Sequence, residues 1–218
     1  MKEKVMEAIE QYKIIAILRG IEKEKLIPLS EALYNGGIRL LEITYSASGD
    51  VSDKDTAEGI RNLTEHFGEK MYIGAGTVLT KEQVILTKNS GGKFIISPNT
   101  DEEVIKESNS CGLVSIPGAM TPSEVAFANK TGADFVKIFP ITSLGPAYVK
   151  AMLAPLSNIK VLAVGGINTD NMQEYLSVGV RGFGIGSNIT DKKMIKTNDW
   201  EGITKLAKRY VAEVSGID

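Results

Sequence analysis

The feature that most constrains this chain is the order of its segments. Short, almost entirely apolar runs alternate with amphipathic helical stretches along its length. The runs are Ile14–Leu18, Leu40–Thr44, Tyr72–Gly76, Phe94–Ser97, Val114–Pro117, Phe135–Ile138, Lys160–Val164 and Gly182–Ile185. Unbroken apolarity, rather than alternation, marks strands covered on both faces. Helical stretches such as Glu24–Asn35, Asp101–Asn109, Pro122–Lys130 and Asp170–Ser177 lie between them. Thr80, Thr100, Thr121 and Thr169 are placed to cap helix starts, and Gly36, Gly91, Gly112, Gly132 and Gly179 to end helices. Strict β–α alternation implies a parallel sheet, and about eight units is the barrel number. The predicted fold is an α/β (β/α)8 barrel occupying residues 1–218 as one domain, with an extra helix, Lys2–Gln11, beneath it. A doubly wound open sheet would want a glycine-rich dinucleotide turn after the first strand. That turn reads Leu18-Arg19-Gly20-Ile21 and carries no such fingerprint.

Composition removes several functions. With 25 basic and 27 acidic residues and no basic run, nucleic acid is not an expected partner. No apolar run reaches ~18 residues, so no membrane span is expected, and the charged N-terminus lacks a signal-peptide core. The lone Cys111 permits no intrachain disulfide and fits a reducing cytoplasm. His66, the only histidine, lies in a polar helical stretch and reads as a solvated residue. One histidine and one cysteine cannot make a zinc cluster, and a Ser-His-Asp device is disfavoured for the same reason.

In a barrel, chemistry belongs to the C-terminal ends of strands and the loops beyond. Polar residues breaking apolar runs there are the candidates. Lys137 shares a strand face with Phe135 and Phe139. Desolvation would lower its pKa and free an amine to attack a ketone. The competing reading is a snorkelling lysine or a structural ion pair. Glu42 shares a face with Leu40 and Thr44, and a carboxylate in such a strand needs a partner. Lys137 could be that partner, either in a structural pair or with Glu42 as a proton shuttle. Arg19, ending the first run, is suited to a carboxylate or phosphate, or else to a surface ion pair. The turns Val164-Gly165-Gly166-Ile167 and Gly184-Ile185-Gly186-Ser187-Asn188 follow the last two runs, where barrels often bind phosphate through backbone N–H groups and a helix N-terminus. Their alternative is tight-turn geometry alone. Thr77, after Gly74-Ala75-Gly76, could donate to a carboxylate. The polar stretch Ser46–Thr56 reads as a long loop, a candidate lid.

These blocks, with Ala16-Ile17-Leu18-Arg19-Gly20, Leu41-Glu42-Ile43-Thr44, Gly74-Ala75-Gly76-Thr77-Val78-Leu79, Ile96-Ser97-Pro98-Asn99, Pro117-Gly118-Ala119-Met120-Thr121-Pro122-Ser123-Glu124, Lys137-Ile138-Phe139-Pro140 and Gly165-Gly166-Ile167, occur in the order found in the KDPG/KHG aldolases. The chain resembles that family over most of its length. The resemblance implies a class I aldolase cleaving a 2-keto-3-deoxy-6-phospho sugar acid to pyruvate and glyceraldehyde 3-phosphate, and also 4-hydroxy-2-oxoglutarate to pyruvate and glyoxylate. It implies Lys137 as Schiff-base lysine and Glu42 as proton carrier. Arg19 and Thr77 would face the pyruvate carboxylate, and Phe139 and Pro98 would shape the pocket. Gly165, Gly166, Gly186 and Ser187 would receive the phosphate. No cofactor is implied, and a homotrimer is.

Two positions depart from the gluconate-type pattern. A Thr-Leu-Arg-Thr run is replaced by Thr44-Tyr45-Ser46-Ala47, removing an arginine, and the threonine before the glycine pair is Val164. The galactonate (KDPGal) branch resembles this chain at both, and in Lys137–Pro140 with Gly145-Pro146. These positions leave the choice between the two epimers open. Two other readings compete: another phosphate-binding barrel enzyme, such as an epimerase or isomerase, and a non-catalytic sugar-phosphate sensor.

Overall fold

A computed structural model describes residues 1–215 of the chain. The helix α1 (Lys2–Tyr12) comes first, followed by β1 (Ile14–Leu18), α2 (Lys23–Asn35), β2 (Leu40–Thr44), α3 (Asp53–Phe67), β3 (Tyr72–Gly76), α4 (Lys81–Asn89), β4 (Phe94–Ile96), α5 (Glu102–Ser110) and β5 (Val114–Ile116). The second half carries β6 (Gly118–Ala119), α6 (Pro122–Thr131), β7 (Val136–Ile138), α7 (Gly145–Leu153), β8 (Val161–Val164), α8 (Met172–Ser177), β9 (Gly182–Ile185), α9 (Lys192–Lys196) and α10 (Trp200–Val214).

All strand pairs are parallel, in the order β5-β4-β3-β2-β1-β9-β8-β7-β6. The two ends of that order are one stretch of chain. Pro117 lacks a backbone N–H and separates β5 from β6, while its carbonyl still accepts from Lys137 N at 2.8 Å. The fifth predicted strand therefore stops at Ile116, β6 is a further short strand that the sequence reading did not include, and the ring is a nearly closed (β/α)8 barrel with an N-terminal helix. Other strand ends differ from the reading by one residue: β4 stops at Ile96, β7 starts at Val136 and β8 at Val161.

Period-two geometry divides each strand between two cores. Ile15, Leu40, Phe94, Val114, Phe135 and Leu162 fill the barrel interior, and Val5 and Ile9 of α1 belong to the same cluster. The helix thus closes the lower end. The opposite strand faces, with Ala16, Leu41, Ile73, Ile95, Val136 and Ala163, pack against the surrounding helices. Inward glycines make room: a β-carbon on Gly74 would strike the Phe94 ring at 2.3 Å.

Two caps differ from expectation. Asp101, not Thr100, caps α5 by accepting from Val104 N at 3.0 Å, because Thr100 Oγ1 donates to Gly118 O at 2.7 Å. Thr169 does not cap α8. An Asn168–Asn171 turn intervenes, in which Asn168 N donates to Asn171 Oδ1, and the helix begins at Met172. Thr80 and Thr121 do cap, the latter in a reciprocal capping box with Glu124. Gly36 and Gly132 are C-caps, whereas Gly91, Gly112 and Gly179 each follow the capping residue. The expected loop Ser46–Thr56 is shorter, because Ser52 accepts from Asp55 N and starts α3 at Asp53. His66 lies on α3 with Nε2 3.0 Å from Glu31 Oε1 at the surface. No helix among the described residues is long and apolar enough to cross a membrane.

Candidate active site

The C-terminal mouth of the barrel holds a cleft of about 480 Å³. It lies over the ends of β7, β8, β9 and β1. Lys137, Phe139, Arg19, Gly165, Gly166, Gly186 and Ser187, all read from sequence, border it.

Lys137 is in the middle of β7, paired with Leu162 on one side and Gly118 on the other. Its neighbours Val136 and Ile138 point out to the helix layer, so strand geometry turns Lys137 inward with Phe135. The side chain is only 5% exposed. Its Nζ lies 4.5 Å from the centre of the Phe139 ring. The three residues predicted to share a face do so. Burial pushes the Lys137 pKa down from the ordinary lysine range. The Glu42 carboxylate opposes that shift and the Arg19 guanidinium adds to it.

Glu42 is 1% exposed, on β2 between Ile17 of β1 and Gly74 of β3. Its position explains Gly76 on the adjacent strand. A β-carbon on Gly76 would fall 1.6 Å from Glu42 Oε1, so the carboxylate lies where a larger side chain would otherwise stand. Burial raises the Glu42 pKa, and the charges of Lys137 and then Arg19 pull it back. Glu42 does not itself border the cleft. It makes no salt bridge with Lys137, but their charges act on one another. Desolvation thus favours the neutral form of each: an amine that can attack carbon, beside a carboxyl that can give and take a proton.

Arg19 is exposed at the end of β1, and its Nη2 reaches Thr77 Oγ1 at a long 3.4 Å. Thr77 has φ of 56°, a left-handed backbone that costs a β-branched residue about 1–3 kcal/mol. It follows β3 directly, so the turn fixes its hydroxyl near the mouth. Pro98 and Thr77 do not border the cleft. Pro98 packs its carbonyl under Gly118, where a β-carbon would come within 2.3 Å.

Gly165 and Gly166 have φ of 101° and 71°, and a β-carbon on Gly166 would lie 2.8 Å from Thr142 Oγ1. Both residues need glycine for conformation, and Gly166 needs it for space as well. The N–H groups of Gly166, Ser187 and Asn188 donate to no protein acceptor among the described residues. The anion-binding capacity at this end therefore comes from turns. The helix expected from Asp170 starts only at Met172.

Val164 and Asn188, from the two turns read in sequence, also border the cleft, as do Ile17, Ile21, Thr190 and Lys192, which the sequence did not single out. Asn188 anchors the wall by donating Nδ2 to Ile167 O at 2.8 Å. Loop residues have no periodicity to betray which way they point. Among the described residues, no group of three or more His, Cys, Asp or Glu side chains could hold a metal ion.

The fold and the groups at its mouth are those of a parallel-barrel enzyme. Residues 5–206 match the family described as KDPG and KHG aldolase. The chain is 36% identical over 177 residues to the 2-dehydro-3-deoxy-6-phosphogalactonate aldolase of Escherichia coli K12, covering 81% of this chain and 83% of that one. It is 29% identical over 211 residues to the 2-dehydro-3-deoxy-phosphogluconate aldolase of Haemophilus influenzae, covering 96% of each. A solved KDPG aldolase from Legionella pneumophila, with pyruvate captured as a covalent carbinolamine, superposes with a TM-score of 0.83 at 30% identity, over 93% of this chain and 96% of that one. The chain belongs to the KDPG and KHG aldolase family. Aldolases are carbon–carbon lyases.

Proposed function

We propose that this protein is a class I aldolase that cleaves a 2-keto-3-deoxy-6-phospho sugar acid to pyruvate and glyceraldehyde 3-phosphate. The observation that carries the reading is Lys137: a buried amine on the inner barrel wall, under the Phe139 ring and within the field of Glu42. The neutral amine attacks the C2 ketone, and the carbinolamine, taking a proton from the Glu42 carboxyl, loses water to give an iminium and leaves Glu42 as carboxylate. Glu42 takes the proton of the C4 hydroxyl. The C3–C4 bond breaks, its electron pair moves toward the iminium nitrogen, and the aldehyde leaves. The resulting enamine takes a proton at C3, and water then releases pyruvate and restores the amine. Arg19, with Thr77 at its guanidinium, holds the carboxylate, Phe139 shapes the pocket, and Gly165, Gly166, Gly186 and Ser187 take the phosphate.

In this reading the galactonate epimer is the preferred substrate. Val164 in place of threonine and the absence of a second arginine after Glu42 support that choice, as does the likeness to the Escherichia coli enzyme. The protein works as a cytoplasmic homotrimer without a cofactor. Borohydride reduction in the presence of pyruvate tests the chemistry: the expected product is a single covalent adduct mapping to Lys137. An absent adduct, or one that persists in Lys137→Ala, rejects the reading.

A further inference from the structure

The residues bordering the cleft include three basic side chains, Arg19, Lys137 and Lys192, and no Asp or Glu. In the proposed chemistry Arg19 and Lys137 serve the keto-acid end. Lys192 has no part in it. It opens α9, just after the turn that closes β9, and that turn is held by Thr190 Oγ1 donating to Gly186 O at 3.0 Å. Asp191, its neighbour in sequence, is occupied as the α9 cap, with Oδ1 accepting from Met194 N at 2.8 Å. Lys192 forms no salt bridge among the described residues. An uncommitted ammonium therefore borders the same cleft as the glycine turns and their free N–H groups.

A phosphate ester lodged on those turns would be a dianion. Backbone N–H groups offer only partial charges, and a full cation beside them makes the hydrogen bonds charge-assisted. We infer that Lys192 is the cation that recognises the substrate's phosphate and so sets the preference for phosphorylated over uncharged-tail substrates. The inference rests on the aldolase reading for the identity of the substrate, but it can be tested on phosphate-ester binding alone.

The test is calorimetric titration with glycerol 3-phosphate, using glycerol as the uncharged comparison. Wild type, Lys192→Ala, Lys192→Arg and Lys193→Ala are compared. Wild type is expected to bind glycerol 3-phosphate and not glycerol. Lys192→Ala should weaken binding about tenfold to a hundredfold, the range for loss of one charge-assisted bond. Lys192→Arg should recover most of the loss, and Lys193→Ala, on the same helix but outside the cleft, should bind like wild type. No binding by wild type, no weakening in Lys192→Ala, or equal weakening in Lys193→Ala would each overturn the assignment. Pyruvate trapping at Lys137, run in parallel, separates the two readings. A missing adduct with a selective Lys192 effect sinks the aldolase alone, and a normal adduct with unchanged phosphate-ester affinity sinks the Lys192 assignment alone.

Discussion

The carboxylate of Glu42 fills the space that Gly76, on the adjacent strand, leaves by having no side chain: a β-carbon there would stand 1.6 Å from Oε1. Gly76→Ala should therefore displace the proton carrier while leaving Lys137 in place. Positioned acid–base groups contribute roughly 10²–10⁴ in rate, so kcat should fall within that range. Pyruvate trapping should still mark Lys137. An alanine variant with wild-type kcat would show that Glu42 does not act from this position.

The charges of Lys137 and Glu42 work on each other through burial. The Glu42 carboxylate favours the charged lysine, against the larger effect of desolvation. Glu42→Gln removes that support, so the Lys137 pKa should fall further below the ordinary lysine value. Arg19→Ala acts in the opposite sense, since Arg19 lowers Lys137, and should raise it. NMR titration of the lysine ε-carbon reads both shifts. A rise in Glu42→Gln would contradict the assignment of the partners.

A buried lysine with a depressed pKa also leaves a mark on stability. Between its folded pKa and the unfolded value of 10.5, the unfolded chain binds a proton at Lys137 that the folded chain does not. Stability from this group therefore rises with pH through that window. Below it, the folded state bears the cost of a buried charge. Lys137→Met should remove that rise. Urea midpoints measured from neutral to alkaline pH check it, and parallel curves for the two proteins would refute it.

Val164 is 6% exposed and borders the cleft. A hydroxyl there would offer a substrate hydroxyl a partner that valine cannot. Val164→Thr should shift the ratio of kcat/KM toward the gluconate epimer by about tenfold. Side-by-side cleavage of both epimers gives the ratio, and an unchanged value would remove Val164 from the account of epimer choice.

The barrel was legible because buried parallel strands are apolar on both faces, which left Ile14–Leu18 and Leu40–Thr44 sharply bounded. Lys137 and Glu42 stood out for the same reason, as charges in runs that should hold none. The break at Pro117 was harder to see, since Val114–Pro117 is as apolar as its neighbours and only the ladder shows where pairing stops. Thr100 and Thr169 have the chemistry of caps, but tertiary contacts and a competing turn gave the task at α5 to Asp101 and delayed α8 to Met172. Lys192 gave no sign in sequence, being one lysine among several in a polar stretch, and its place beside the cleft comes from the return of the loop after β9.

The α1 helix, with Val5 and Ile9 wedged into the lower end of the barrel, makes the interior a vessel with one opening. Whatever reacts at Lys137 enters and departs through the same mouth. In the proposed cleavage the aldehyde half is unattached once the carbon–carbon bond breaks, while the pyruvate half stays tethered to the wall below it. Traffic through a single doorway then imposes a sequence: the phosphorylated aldehyde leaves first, and pyruvate last.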